Sequence, residues 1–266
     1  VWRDAVKETA KLRMQGVVTD ATKRVTSAFT YGAWSDQPEP PWWRGRRSRP
    51  RRTPIDRDAI IDAAIRILDD EGVDALTVRR LATELQTGPA TLYWHISGKD
   101  ELGELVYDRI MGAVRLPEPD PGNWQAQLKE VVRDSYRVLS AHNDAVKLSL
   151  GRVSVGPNML RIVEWTMTLL RQAGVPDAVA GYFGDLLGRY IDVSVLEEAA
   201  TATLGGQEVT PEEAATMLGE YFASLPVSRF PNLVAMADVM FELGPDERFD
   251  LGLDVLIRGF EAYATA

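Results

Sequence analysis

The 266-residue chain is long enough for one large domain or two smaller ones, and its 45% apolar and 26% charged residues are ordinary for a globular protein. It has no cysteine and only two histidines, which excludes disulfide scaffolds, zinc–cysteine sites and thiol nucleophiles and leaves little for histidine-based metal or triad chemistry. The net charge of −9 hides an asymmetry: residues 1–55 carry twelve basic and five acidic side chains, net +7, against −6 for residues 56–111 and −10 for residues 112–266, a pattern expected of a basic segment that meets a polyanion.

The first thirty residues have scattered charge and no apolar run, and no stretch of eighteen apolar residues occurs anywhere. Neither a secretory leader nor a membrane span is expected, and the cytoplasm is the expected location. Val1 stands where a Met is usual, and the first Met is Met14, so the true start is left open. Residues 36–54, DQPEPPWWRGRRSRPRRTP, read as a linker or arm. Their arginines, Arg49, Arg51 and Arg52 among them, are either a solvated tail or an arm for the DNA minor groove.

From Ile55 the texture becomes helical. Ile60, Ala63, Ala64, Ile67 and Leu68 recur at three- and four-residue steps and make one apolar stripe, ended by Gly72. Thr77 is the N-cap of a second helix with its stripe at Val78, Leu81, Ala82 and Leu85. Thr87-Gly88 breaks it, Pro89 opens a third helix over 89–95, and Ser97 caps a fourth, with Asp100 three residues on as in a capping box. Further helices are expected over 99–115, 124–141, 157–173, 177–203, 211–224, 233–243 and 246–263. No strand pattern of convincing length and no internal repeat is present.

Two short helices joined by a tight turn and preceded by a packing helix make a helix-turn-helix, whose second helix enters the major groove of double-stranded DNA. The face offered is Gly88, Pro89, Ala90, Thr91 and Tyr93, with Leu92 turned inward and Trp94 bridging core and surface. His95 and Lys99 flank a helix start, where they can reach phosphates. A plain four-helix bundle with the same turn is the competing reading.

The segments AIIDAAIRILDDEGVDALTVRRLATEL and ATLYWHISGKDELGELV resemble the DNA-binding domain of the TetR family of transcriptional repressors, and Leu-Tyr-Trp-His is similar to its tetracycline-repressor subgroup. RFDLGLDVLIRGFEAY is similar to that subgroup's last helix. The resemblance implies an all-α fold: a basic extension over 1–54, a three-helix helix-turn-helix domain over 55–103, and a larger ligand-binding and dimerisation domain over 104–266. It implies a homodimer on a palindromic operator, released by a small-molecule effector. By position, Arg79 matches a DNA-contacting arginine, Thr77 a phosphate-contacting cap, and Thr91, Tyr93, His95 and Lys99 the recognition helix and the phosphate contacts after it. Gly88, Pro89 and Ala90 offer few side-chain hydrogen bonds to bases, so direct readout rests on Arg79 with Thr91 and Tyr93.

A ligand pocket needs apolar and aromatic walls. Trp124, Tyr136, Met159, Trp165, Met167, Tyr182, Phe183, Tyr190, Phe222 and Met236 are the candidates, with ordinary core packing as the alternative for each. The expected site lies among the helices over 124–141, 157–173 and 177–203, and the expected effector is mainly apolar and aromatic. The subgroup holds its drug with magnesium through a His and a Glu. Here Ser149 and Glu197 occupy those places, so half the pair is missing and no metal or cofactor is expected. An enzyme is disfavoured: no Gly-x-Ser-x-Gly or phosphate-binding glycine loop occurs, and Glu197 and Glu198 diverge by about 100° on a helix. A constitutive DNA-binding or adaptor protein without ligand sensing remains the alternative.

Overall fold

A computed structural model describes residues 56–199, 202–204 and 206–264. The arm arginines Arg49, Arg51 and Arg52 lie outside the described residues. The fold is all-α apart from one small hairpin. Its helices are α1 (Arg57–Glu71), α2 (Val78–Glu84), α3 (Pro89–Leu92), α4 (Lys99–Met111), α5 (Trp124–Ser140), α6 (Pro157–Gln172), α7 (Asp177–Ala199), α8 (Pro211–Ala223), α9 (Pro231–Met240) and α10 (Pro245–Ala264).

The α1 stripe is buried as the periodicity requires, and it packs on α2 and α4. Asp56 caps α1, and Gly72 takes a left-handed φ of 80° at its end, where a side chain is strained. Leu76, Leu81, Leu92, Ile96 and Leu102 complete this core with essentially no exposure. α4 runs unbroken across the expected domain boundary at 103/104 and packs on α1, which pairs with it from Glu101 to Arg109, and on α5 and α6.

α4 starts differently from expectation. Its N-cap is Gly98, with no side-chain cap, so Ser97 and Asp100 do not form a capping box. Glu101 takes over: its carboxylate accepts from the Ser97 backbone N–H at 2.6 Å and from Arg57 at 3.1 Å. A nearly buried carboxylate that ties two elements together outcompetes a local hydroxyl cap.

Asp108, 6% exposed, joins α4 to the body. Its carboxylate accepts from the backbone N–H groups of Asn158 and Met159 and from the Asn158 side-chain amide, all at 3.0 Å. It therefore caps α6 from a different helix. Burial raises its pKa, and the three donors only partly offset the rise. Gly156 makes room: a Cβ there would stand 2.2 Å from the Asp108 carboxylate.

In the body, α7 packs on α5, α6 and α10. The expected helix over 177–203 stops at Ala199, and Thr203 lies in strand β1 (Ala202–Leu204), antiparallel to β2 (Gln207–Val209). The Gly205-Gly206 pair disfavours helix, and Gly206 adopts φ 84° in the turn. α8 begins with a full capping box from Thr210 and Glu213. The outer faces of α7 and α10 stay apolar and exposed at Tyr182, Val193, Leu251, Val255 and Tyr263. A Cβ at Gly181, Gly188 or Gly259 would meet no atom within 4 Å.

Candidate nucleic-acid interface and ligand cavity

The α2–α3 unit presents its sequence-expected face outward. Thr77 caps α2, its hydroxyl accepting from the Arg80 N–H at 3.1 Å. The left-handed residue of the turn is Gln86, at φ 50°, whereas Gly88 sits at φ −83° as N-cap of α3. The tight turn is thus made without the glycine expected to make it. Gly88, Pro89, Ala90 and Thr91 are all exposed, while Leu92 is fully buried and fixes the rotation of α3. α3 ends at Leu92 instead of running to His95. The next residues close as tightened turns, with Trp94 N–H donating to Thr91 O and His95 N–H to Leu92 O. Tyr93 and Trp94 are about half exposed, at 53% and 51%, so Trp94 is more a surface residue than a bridge to the core.

The two adjacent arginines are sorted by their partners. Arg80 is bound to Glu71 through Nε at 2.9 Å and Nη2 at 2.5 Å, and to Glu84 through Nη1 at 2.9 Å; these contacts raise its pKa. Arg79 is exposed, and its guanidinium has no partner among the described residues. It is the arginine available to an external acceptor. Lys99 is exposed and donates to the Val73 carbonyl at 3.4 Å.

The body contains a solvent-open cavity of about 770 Å³ between α5, α7, α8, α9 and α10. Its floor is a stack of rings: Tyr136 on Phe249 with centroids 4.2 Å apart, and Phe249 against Tyr190 at 5.1 Å. The Tyr190 hydroxyl donates to Phe249 O at 2.8 Å and lies directly over Gly252, where any Cβ would stand 2.2 Å from it. Glu198 accepts from the hydroxyls of Tyr136, at 2.8 Å, and Ser140, at 2.9 Å. Glu197, Glu212, Glu220, Asp238 and Glu242 line the remainder with Arg248.

This cavity lies apart from most of the expected site. α6 contributes nothing to the cavity, while α8, α9 and the start of α10 do. Of the expected ligand residues, Tyr136 and Tyr190 line it. Trp124, Trp165 and Phe183 are buried core, with Trp165 Nε1 donating to Pro117 O at 2.6 Å and Phe183 stacked on Phe260. Met159 and Met167 pack against that core, and Tyr182 is exposed on the outside of α7. Phe222 sits against Phe241 with centroids 5.6 Å apart, and Met236 is exposed. Phe241, Glu242 and Phe249, which also line the cavity, flank the Gly244-Pro245 break between two helices, where periodicity carries no signal, whereas Glu197, Glu212, Glu220 and Asp238 come from α7, α8 and α9 and meet at one cavity only through tertiary packing.

The magnesium-chelating pair of the tetracycline-repressor subgroup does not fit here. Ser149 is buried, its hydroxyl within 2.8 Å of Val146 O and 3.2 Å of the Asp192 carboxylate, and it does not line the cavity that holds Glu197. Burial lifts the Asp192 pKa to about 6.

Residues 60–106 match the model of the bacterial regulatory proteins of the tetR family, and residues 116–264 match that of the tetracyclin repressor-like C-terminal domain. Among solved structures, apo ActR from Streptomyces coelicolor is 42% identical, with a TM-score of 0.74 over 81% of this chain and 99% of that one. ActR in complex with actinorhodin aligns at a TM-score of 0.72 over 79% of this chain and 97% of that one. The HTH-type transcriptional repressor DrrR1 of Streptomyces coeruleorubidus is 29% identical over 231 residues, 83% of each chain. A free arginine beside an outward-facing helix-turn-helix, an α-helical body with its own cavity, and matches over both halves have one reading: the chain belongs to the TetR family of ligand-responsive, DNA-binding transcriptional repressors.

Proposed function

We propose that this repressor reads its operator mainly through Arg79, with Thr91 and Tyr93 adding methyl and ring contacts and Thr77, Trp94, His95 and Lys99 positioning it on the backbone. The observation that carries this reading is the contrast between the free Arg79 and the doubly paired Arg80. Gly88 supports it. Neither its torsion nor its surroundings call for glycine, since a Cβ there would meet nothing within 4 Å. Close approach to DNA by Gly88, Pro89 and Ala90 accounts for the lack of bulk. Arg49, Arg51 and Arg52 add arm contacts in the minor groove.

The body dimerises through the apolar outer faces of α7 and α10, where Gly181, Gly188 and Gly259 admit a second copy closely. The ring-floored cavity takes an aromatic effector, and the chain works in the cytoplasm without catalytic turnover. The effector acts by binding one dimer shape better than the other, and α4, latched to the body at Asp108, carries the shift to the helix-turn-helix. Both α3 helices must sit roughly 34–36 Å apart to engage successive major grooves, so a displacement of a few ångströms releases the DNA.

The test is selection of DNA fragments by the purified dimer, followed by titration of the operator complex with aromatic small molecules, actinorhodin included, with and without magnesium. An enriched palindrome released by an aromatic compound independently of magnesium is expected. A selection without any enriched site would refute the operator reading, and release by tetracycline only with magnesium would refute the effector reading.

A further inference from the structure

The effector cavity is strongly asymmetric in charge. Glu197, Glu212, Glu220, Asp238 and Glu242 line it without an ion-pair partner among the described residues, and Arg248 is the one cationic side chain that lines it. Beneath them the rings of Tyr136, Phe249 and Tyr190 stack on one another, with Tyr136 and Phe249 nearly buried and Tyr190 half-buried. These five carboxylates against one guanidinium give the cavity a negative potential that attracts cations.

The form of the negative charge narrows the class. Among the described residues, no three carboxylate or imidazole groups converge closely enough to ligate one ion. The acids are spread around some 770 Å³, far more than a compact metal ion fills. An extended organic molecule that fills the cavity and carries a positive group near the rim matches this distribution. Burial raises the pKa of Tyr136 first, and the neighbouring Glu198 raises it further; at Tyr190 burial again leads, with Asp250 and Glu197 adding to it.

We propose that the cavity is selective for aromatic cations, such as amine-bearing or quaternary polycyclic compounds, over neutral or anionic aromatics of the same shape. This deepens the reading of the cavity as the effector site. Two dyes that share one tricyclic xanthene core make the probe pair: rhodamine 6G, a cation, and fluorescein, an anion. Fluorescence anisotropy with the full chain is expected to show rhodamine 6G bound at least about tenfold tighter than fluorescein, with the preference shrinking as salt is raised. Glu220→Gln with Glu242→Gln, both exposed rim positions, should cut the preference to below about threefold while leaving operator binding and thermal melting unchanged. Equal binding of the two dyes, or a preference untouched by the double substitution, would overturn the proposal. A third arm separates this outcome from failure of the effector reading. If a neutral aromatic releases the operator while the dyes are not distinguished, cation selectivity is wrong and the effector site stands. If rhodamine 6G binds with the expected preference, is lost in the double variant and leaves the operator complex intact, the cavity is cation-selective and the effector lies elsewhere.

Discussion

Gly156→Ala tests the latch between the DNA-reading half and the body. Gly156 has φ −65° and ψ 160°, which alanine adopts freely, so no backbone strain arises. Reduced freedom of the unfolded chain would even stabilise the variant by about 0.4–1 kcal/mol. Against that, the new Cβ would lie 2.2 Å from Asp108 Oδ1, 2.3 Å from its Cγ and 2.7 Å from its Cβ. The atoms in the way are not only the flexible end of a side chain, so Asp108 must swing off the α6 N-terminus. It then gives up three hydrogen bonds, from Asn158 N, Asn158 Nδ2 and Met159 N. Losing an N-cap costs about 0.5–2 kcal/mol, and a buried, charge-assisted bond to an otherwise unsatisfied donor costs about 1.5–3 kcal/mol. Partial resolvation of the helix end and the entropic gain offset part of this, for a net loss of about 2–3 kcal/mol. Urea denaturation of the dimer at fixed protein concentration reads it, with Gly156→Ser in parallel to show the same direction. Operator release should also become less complete at saturating effector, because α4 no longer moves with α6. A Gly156→Ala protein as stable as the parent, with unchanged release, would refute the latch.

Arg79→Ala should weaken operator binding by about 1–3 kcal/mol and relax specificity at one position of each half-site, whereas Arg80→Ala, whose guanidinium is occupied by Glu71 and Glu84, should leave base preference intact; competition binding with single-base operator variants distinguishes them. Gly88→Val should change stability by no more than about 0.5 kcal/mol, because its Cβ has open space, yet lower operator affinity at least about tenfold in gel-shift titration. Asp192 has its folded pKa raised from 3.8 to about 6, so the stability it contributes is full below the ordinary carboxylate range and is lost as pH rises through about 6. Asp192→Asn should therefore flatten the stability profile between those values and melt later than the parent above them; an unchanged pH profile would remove Asp192 as its source. Deleting residues 1–53 should lower operator affinity and make the salt dependence shallower while leaving the dimer intact, since each arginine that meets a phosphate releases counterions.

Much of the DNA-reading half was legible in the residues alone. Its helices are short, and their apolar stripes at Ile60–Leu68 and Val78–Leu85, with Thr77 as cap and Pro89 as opener, are signals confined to neighbours in the chain. Burial of Leu92 and exposure of Thr91 and Tyr93 follow from the same periodicity. What local pattern could not decide was any choice between similar groups that depends on distant partners. The Arg80–Glu84 pair is legible as an i,i+4 contact, but the two-point hold of Glu71 on Arg80, which leaves Arg79 as the unpaired one, comes only from the packing of α1 beside α2. Ser97 and Asp100 satisfy the capping-box spacing, but Glu101 held by Arg57 across forty-four residues takes the role. The aromatic residues of the body look alike along the chain. Tertiary packing alone decided that Trp165 and Phe183 fill the core while Tyr136 and Tyr190 meet Phe249 at the cavity floor, because a cavity wall is assembled from helices far apart in sequence and no periodicity within one helix records which neighbour it will face.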